Sequence, residues 1–308
     1  MCGIAGIITP NASNYRAELQ KMTDAIAHRG PDSAHQEFYE NAALGHRRLS
    51  IVDLSETGKQ PMFSQTKNEC IVLNGEIYGY LDLKKKYSNY HYRGTSDTEV
   101  ILAMYEQKGN ALLDELPGMF AFAIWNEEKQ ELFCARDRFG EKPFYYAHGK
   151  NGEFIFASEM KAILASGLIK PIVNQEAISH FLQYGYVSAQ QSIYSNIFTL
   201  PPAHFLVFSK GNIQVERYYS IPKSDLKINL SDAKEEFSHL LKNAVQKQLI
   251  ADVEVGSFLS GGLDSSTIVA MVNEFKEKQT IEHHYHRKKY FYLLIYIVRQ
   301  IFLDVCNY

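Results

Sequence analysis

Cysteine is scarce in this 308-residue chain: Cys2, Cys70, Cys134 and Cys306 are all there is, with no CxxC pair among them. That excludes a disulfide framework and a cysteine-ligated zinc site, and it fits a reducing, cytoplasmic compartment. Long apolar runs are missing too. None reaches the ~18 residues that a membrane span needs. The N-terminus has no basic n-region and no long apolar h-region, so a signal peptide is not expected. A strong excess of charge of one sign is also absent. A net charge of −3 leaves no electrostatic footprint for nucleic acid or an anionic membrane. There is no Walker A pattern, GxxxxGK followed by Ser or Thr. Apolar material is plentiful, at 45% of residues, enough for two cored domains in a chain of this length.

The chain opens Met1-Cys2-Gly3. Removal of Met1 would leave one residue carrying both a thiol and a free α-amine. A thiolate is the nucleophile, and an α-amine near neutral pKa can take the thiol proton and return it to a leaving amine. This is the logic of an N-terminal nucleophile. The competing reading is that Cys2 is a small buried hydrophobe.

CGIAGII reads as a buried strand closed at Thr9-Pro10-Asn11, and residues 16–28 read as a helix broken at His28-Arg29-Gly30-Pro31-Asp32. In ALGHRRLSIVDL, Arg47 and Arg48 precede what reads as an alternating strand. They are either solvated edge charges or, for a guanidinium at a strand end, a bidentate clamp for a carboxylate. An apolar strand runs into Asn74-Gly75-Glu76. Asn-Gly is a hairpin signal; equally, the Asn74 amide and the Gly75 N–H could form an oxyanion hole. Ser96-Asp97-Thr98-Glu99 reads as a capping box opening a helix that ends at Gly109. Asp97 is then a first-turn acid or a partner for an ammonium group. The strands MFAFAIW, ELFCARD, FYYAH and EFIFAS follow, then helical pieces near 159–166 and 175–184 and two last strands. The order is α+β. After a polar linker an amphipathic helix spans 232–249, and a strand at Val253–Leu259 leads into Ser260-Gly261-Gly262-Leu263-Asp264-Ser265-Ser266 and a helix from Thr267. Strand, Gly-rich turn and helix make an anion site at a helix N-terminus. Two glycines and three hydroxyls could wrap a pyrophosphate while Asp264 holds Mg²⁺, or the stretch is an ordinary loop.

Together the motifs MCGIAGI, HRGPD, RLSIVD, NGEIY, SDTEV, GMFAFAIW, RDRFGEKPFYY and FASEMKA closely resemble the glutamine-hydrolysing asparagine synthetases. The resemblance implies a class II amidotransferase (glutaminase) domain over 1–219. Its fold would be an αββα sandwich of the N-terminal-nucleophile type. A linker at 220–230 and the start of an α/β Rossmann-like ATP-pyrophosphatase domain at 231–280 would follow. Cys2 would attack the glutamine side-chain amide, with Asn74 and Gly75 binding the oxyanion. Arg48 would hold the α-carboxylate, helped by the backbone of Leu49, Ser50, Ile51 and Val52. Glu76 and Asp97 would hold the α-ammonium. Ammonia would pass to L-aspartate activated by ATP as a β-aspartyl-adenylate. Leu259, Ser260, Gly261, Gly262, Leu263, Asp264, Ser265 and Ser266 would lie at the ATP site, with Mg²⁺ on Asp264. Families of this kind are often homodimers, although no interface signal is visible.

Three motif positions depart from the family pattern, Gly79, Glu141 and Glu254, and none removes an assigned group. The likeness ends near Lys278–Thr280. Residues 281–308, crowded with Tyr, Ile, His and Lys, read as an aberrant tail from a frameshift or truncation. The expectation is that the glutaminase half-reaction survives in this chain and ATP-dependent asparagine formation does not. Two alternatives are an amidotransferase for another acceptor, such as a polysaccharide sugar precursor, and an inactive remnant.

Overall fold

The computed structural model describes residues 1–188, 191–223 and 227–278. Two compact units divide between Ser220 and Ile221. In the first, β1 (Gly3–Ile8), α1 (Arg16–Ala25), β2 (Ser33–Phe38), β3 (Ala42–Arg48), β4 (Met62–Phe63) and β5 (Glu69–Ile77) are followed by α2 (Tyr80–Lys86) and α3 (Thr98–Lys108). Then come β6 (Gly118–Asn126), β7 (Glu131–Arg136), β8 (Tyr145–His148), β9 (Phe154–Ala157), α4 (Met160–Ala165) and α5 (Gln175–Tyr184). The unit closes with β10 (Ile197–Thr199), β11 (His204–Ser209) and β12 (Asn212–Arg217). The strands form two six-stranded sheets, ordered β10-β8-β9-β1-β3-β2 and β12-β11-β7-β6-β5-β4.

Period-two alternation builds the layers. On β1, Ile4 and Ile8 pack between the sheets, while Ala5 and Ile7 face Leu19 and Met22 of α1 and Ile163 of α4. On β5 and β6, Val72, Ala123 and Trp125 face the other sheet. Ile71, Leu73, Phe120 and Phe122 face Ile101 and Met104 of α3. The result is helix, sheet, sheet, helix, the expected αββα sandwich. Each fully buried Phe or Leu in these layers contributes roughly 1.5–3 kcal/mol of hydrophobic stabilisation.

Three local expectations are corrected. Leu49–Asp53 is not a strand. β3 ends at Arg48, because the Arg48 guanidinium folds back onto the carbonyls of Val52, Asp53 and Ser55 and Asp53 takes a positive φ of 54°. Asn74-Gly75 is not a turn: both residues lie inside β5, paired with Ala121 and Phe120. A Cβ on Gly75 would strike the Met119 carbonyl and lie 2.7 Å from Phe120 Cα, so the glycine serves close strand packing. The capping box is only half formed: Ser96 Oγ accepts from Thr98 N–H at 3.2 Å, but Glu99 turns to the N–H groups of Arg93 and Gly94.

The second unit holds α6 (Leu230–Gln248) and α7 (Leu263–Lys278). Leu241 and Val245 of α6 pack on Ile268 and Val272 of α7, and a Lys242–Glu274 ion pair at 3.0 Å ties their flanks. The expected strand Val253–Leu259 does not form. Among the described residues this unit has no other strand to take up its backbone N–H and C=O groups. The helix expected from Thr267 begins earlier, so Leu263–Ser266 form its first turn. The expected tail at 281–308 lies outside the described residues.

Candidate active site

Cys2 sits where β1 begins, at one end of the sheet sandwich, beside the exit of β3. Its Sγ accepts from the Leu49 N–H at 3.5 Å and lies 3.7 Å from the Leu49 carbonyl. Burial pushes the thiol pKa up. The Leu49 N–H, the terminal amine and Arg48 pull it down, and Asp97 pushes it up. The terminal amine, here on Met1, is pulled below its ordinary value chiefly by burial, with Lys142 and Arg29 acting the same way and Cys2 and Glu76 opposing. An amine and a thiol held in one another's field can exchange a proton at little cost.

The Cys2 carbonyl is gripped by Arg29, whose Nε donates to it at 2.9 Å while Nη1 donates to Glu159 at 3.0 Å. With its amide oriented to meet both neighbours, Asn74 Nδ2 donates to the same carbonyl at 2.9 Å and Oδ1 accepts from Arg29 Nη2 at 3.2 Å. Asn74 is fully buried. It shares the inter-sheet face of β5 with Val72 and Glu76, which is why it reaches a residue on the other sheet. Gly75 points the other way along the backbone. The N–H groups of Leu73 and Ile77 leave β5 towards Gln60 Oε1 at 2.6 Å and Asp97 Oδ2 at 2.9 Å. Gly75 lies midway between them in a period-two strand. Its partner Phe120 spends its own N–H and carbonyl on Asp137. The Gly75 N–H is therefore on the edge of β5 that β4, paired only at Cys70 and Ile71, leaves open.

Arg48 is buried and its guanidinium spans the carbonyls of Val52, Asp53 and Ser55, the last at 3.1 Å. A guanidinium carries five N–H donors, so these contacts do not exhaust it. Leu49 to Val52 are half-buried, and the Ser50 N–H is taken by Asp32 at 2.8 Å. Asp97 is buried at the start of α3 with its pKa raised by burial, against the pull of the Ile77 and Thr98 N–H groups. Glu76 is pushed up to about 6, first by burial and then by Asp97, with Lys142 opposing. Lys142 is itself buried and its amine is pulled down by that burial. Two acids in each other's field, each raised by burial, make a pocket that gains from receiving a cation.

Arg29, Asp32 and Lys142 were not among the residues that sequence reasoning assigned, although HRGPD and RDRFGEKPFYY contain them. Motif membership was the available signal. A buried lysine cannot be read from a polar loop, since lysines are almost always exposed. His46 was also missed. It bridges the sheets from β3 to the Leu73 carbonyl at 3.0 Å, and burial drives its pKa down to about 3, so it stays neutral there.

The Gly-rich stretch of the second unit is held by local contacts. Ser260 Oγ meets Ser265 Oγ at 2.9 Å, Ser265 Oγ donates to the Gly262 carbonyl at 3.1 Å, and Gly261 has φ 83°. Leu259, Asp264 and Ser266 are exposed, and Ser265 is buried. Hydroxyls, glycine backbone and a 16-residue helix N-terminus form a donor set that fits a polyanionic phosphate. Among the described residues no group of three or more His, Cys, Asp or Glu could hold a metal ion. A single carboxylate such as Asp264 suits Mg²⁺ that keeps phosphate and water as its other ligands.

An αββα sandwich with a leading cysteine at the sheet ends is the fold of the N-terminal-nucleophile amidotransferases. Residues 1–219 match the family model for the glutamine amidotransferase domain, and residues 236–290 match asparagine synthase. The chain belongs to the glutamine amidotransferase family, and its curated relatives include several glutamine-hydrolysing asparagine synthetases. It is 42% identical over 299 residues to a provisionally named asparagine synthetase [glutamine-hydrolyzing] 2 of Methanocaldococcus jannaschii, covering 90% of this chain and 58% of that one. It is 37% identical over 286 residues to asparagine synthetase [glutamine-hydrolyzing] 3 of Bacillus subtilis, covering 91% and 46%. The chain thus spans about half the length of these relatives. A glutamine phosphoribosylpyrophosphate amidotransferase of B. subtilis superposes with TM-score 0.53 at 17% identity, over 89% of this chain and 64% of that one, a likeness of fold.

Proposed function

We propose that this chain hydrolyses L-glutamine at Cys2 as the ammonia-generating half of glutamine-dependent asparagine synthesis. Once Met1 is removed, the Cys2 amine accepts the thiol proton and Sγ attacks the side-chain carboxamide carbon. The Asn74 amide and the open-edge Gly75 N–H receive the developing oxyanion. Collapse expels ammonia, which carries away the proton held by the amine, and water then cleaves the thioester to glutamate. Arg48 and the Leu49–Val52 backbone hold the α-carboxylate, and Glu76 with Asp97 hold the α-ammonium. The observation that carries this reading is the convergence on Cys2, at the start of β1, of the Leu49 N–H from the exit of β3 and the Asn74 amide from β5.

The acceptor belongs to the same proposal: L-aspartate, activated by ATP at a site to which Leu259–Ser266 contribute, a step not expected of this stretch alone. Mg²⁺-ATP, held there by hydroxyls, backbone N–H groups and Asp264, supplies a phosphoanhydride for carboxylate activation. A cytosolic location and a homodimer accompany the reading. No helix among the described residues is long and apolar enough to cross a membrane. Glutamate release from glutamine by the purified chain, abolished in Cys2→Ala, tests the first half. Release persisting in Cys2→Ala would refute it. Mg²⁺-ATP binding weakened by Asp264→Ala tests the second, and unchanged binding would count against it.

A further inference from the structure

The two halves of the amino-acid pocket lie on different loops. Arg48 and Leu49–Val52 leave β3, whereas Asp97 opens α3 more than forty residues later in the chain. Asp53 joins them. It is 3% exposed. Its Oδ1 accepts from Ser55 Oγ at 2.6 Å and from Ser55 N–H at 3.2 Å. Its Oδ2 accepts from Thr57 Oγ1 at 2.8 Å and then, across the gap, from the N–H groups of Thr95 at 2.9 Å and Ser96 at 3.2 Å. Its carbonyl accepts from Arg48 Nη2. Two glycines keep the space clear. A Cβ on Gly58 would strike Arg48 Nη2, and one on Gly94 would lie 2.5 Å from Asp53 Oδ2 and strike Thr57 Oγ1.

We infer that Asp53 is a positioning residue for glutamine. It sets the distance between the α-carboxylate clamp at Arg48 and the α-ammonium acceptor at Asp97. The inference rests on the glutaminase reading above and adds to it a residue that touches no substrate. Hydroxyls and N–H groups around the carboxylate hold its pKa below the ordinary value despite burial, so it stays charged at neutral pH. An amide in its place offers one acceptor oxygen where the carboxylate offers two, and its NH₂ would face the Thr95 and Ser96 N–H groups or the Ser55 N–H. The pocket loops would then part, while Cys2, Asn74 and Gly75, which Asp53 does not touch, keep their geometry. Loss of binding shared by ground and transition states raises KM and spares kcat.

The test is steady-state glutamate release by wild type and Asp53→Asn, with Cys2 alkylation by iodoacetamide, a reagent without an amino-acid head group, measured alongside. The expected result is KM for glutamine raised by ~10-fold or more, kcat within about 3-fold, and an unchanged alkylation rate. Gly94→Ala, which intrudes on the same carboxylate, should raise KM in the same direction and serves if Asp53→Asn does not fold. An unchanged KM in the folded variant, or a fall in kcat at constant KM, overturns the inference. Wild-type protein that alkylates at Cys2 yet releases no glutamate overturns the parent reading, and this inference with it.

Discussion

The two candidate sites of this chain are built on opposite plans. In the first unit the residues around Cys2 come from β1, the exit of β3, β5 and the start of α3, and buried long-range hydrogen bonds hold them. In the second unit Ser260–Ser266 is exposed except at Ser265 and closes on itself, Ser260 to Ser265 to Gly262. A catalytic thiol needs its donors fixed before substrate arrives, because rate depends on preorganised dipoles. A phosphate loop needs little beyond glycine backbone and a helix end. The first plan depends on the whole sandwich and the second on one turn of chain.

The contrast predicts unequal sensitivity to mutation. Cys2→Ala should lower glutamate release by roughly 10⁴-fold or more, since the nucleophile has no substitute; a smaller loss would move the chemistry elsewhere. Asn74→Ala should cost ~10²–10³ in kcat, the usual loss for one oxyanion donor, with glutamine KM little changed. In the cores, Phe122→Ala should destabilise the sandwich by about 3–5 kcal/mol and take glutamate release with it on warming. Val245→Ala, in the small α6–α7 interface, should leave both the sandwich melting transition and glutamate release unchanged.

A smaller effect than those at Cys2, Asn74 and Phe122 concerns Glu76. Its folded-state pKa, pushed up to about 6 from 4.5, has two consequences of definite sign. As pH falls through about 6 the carboxylate takes a proton and its hold on an α-ammonium weakens, so KM for glutamine should rise towards acid. Glu76→Gln should raise KM and flatten that rise. A raised carboxyl pKa also means that the folded state binds the proton better than the unfolded state. Stability is therefore lost as pH rises from the ordinary carboxylate range through about 6. At neutral pH and without glutamine, Glu76→Gln should be the more stable protein, by on the order of 1–2 kcal/mol. A KM that is flat with pH, or a variant that melts below wild type, would break this point.

Much of the sandwich was legible because alternating apolar strands leave a period-two trace, as in GIAGII and MFAFAIW. What escaped was long-range. RLSIVD looks like a strand until Arg48 turns back on its own carbonyls, and Asn74-Gly75 looks like a turn until β6 pairs with it. Val253–Leu259 has strand composition and no strand partner among the described residues. Cys2, Arg48, Asn74, Glu76 and Asp97 could be listed from the sequence. The structure brings Cys2 to Asn74 and places Asp97 on the Ile77 N–H beside Glu76. Arg29, Lys142 and Asp53 stayed hidden, because burial of a charge is decided by distant neighbours.

The most direct test is mass spectrometry of the intact chain and its peptides after incubation with 6-diazo-5-oxo-L-norleucine, a glutamine-shaped electrophile. The predicted product lacks Met1 and carries one adduct, on Cys2, whose formation glutamine suppresses. Met1 still in place, or an adduct on any other residue, would contradict an N-terminal thiol acting with its own amine.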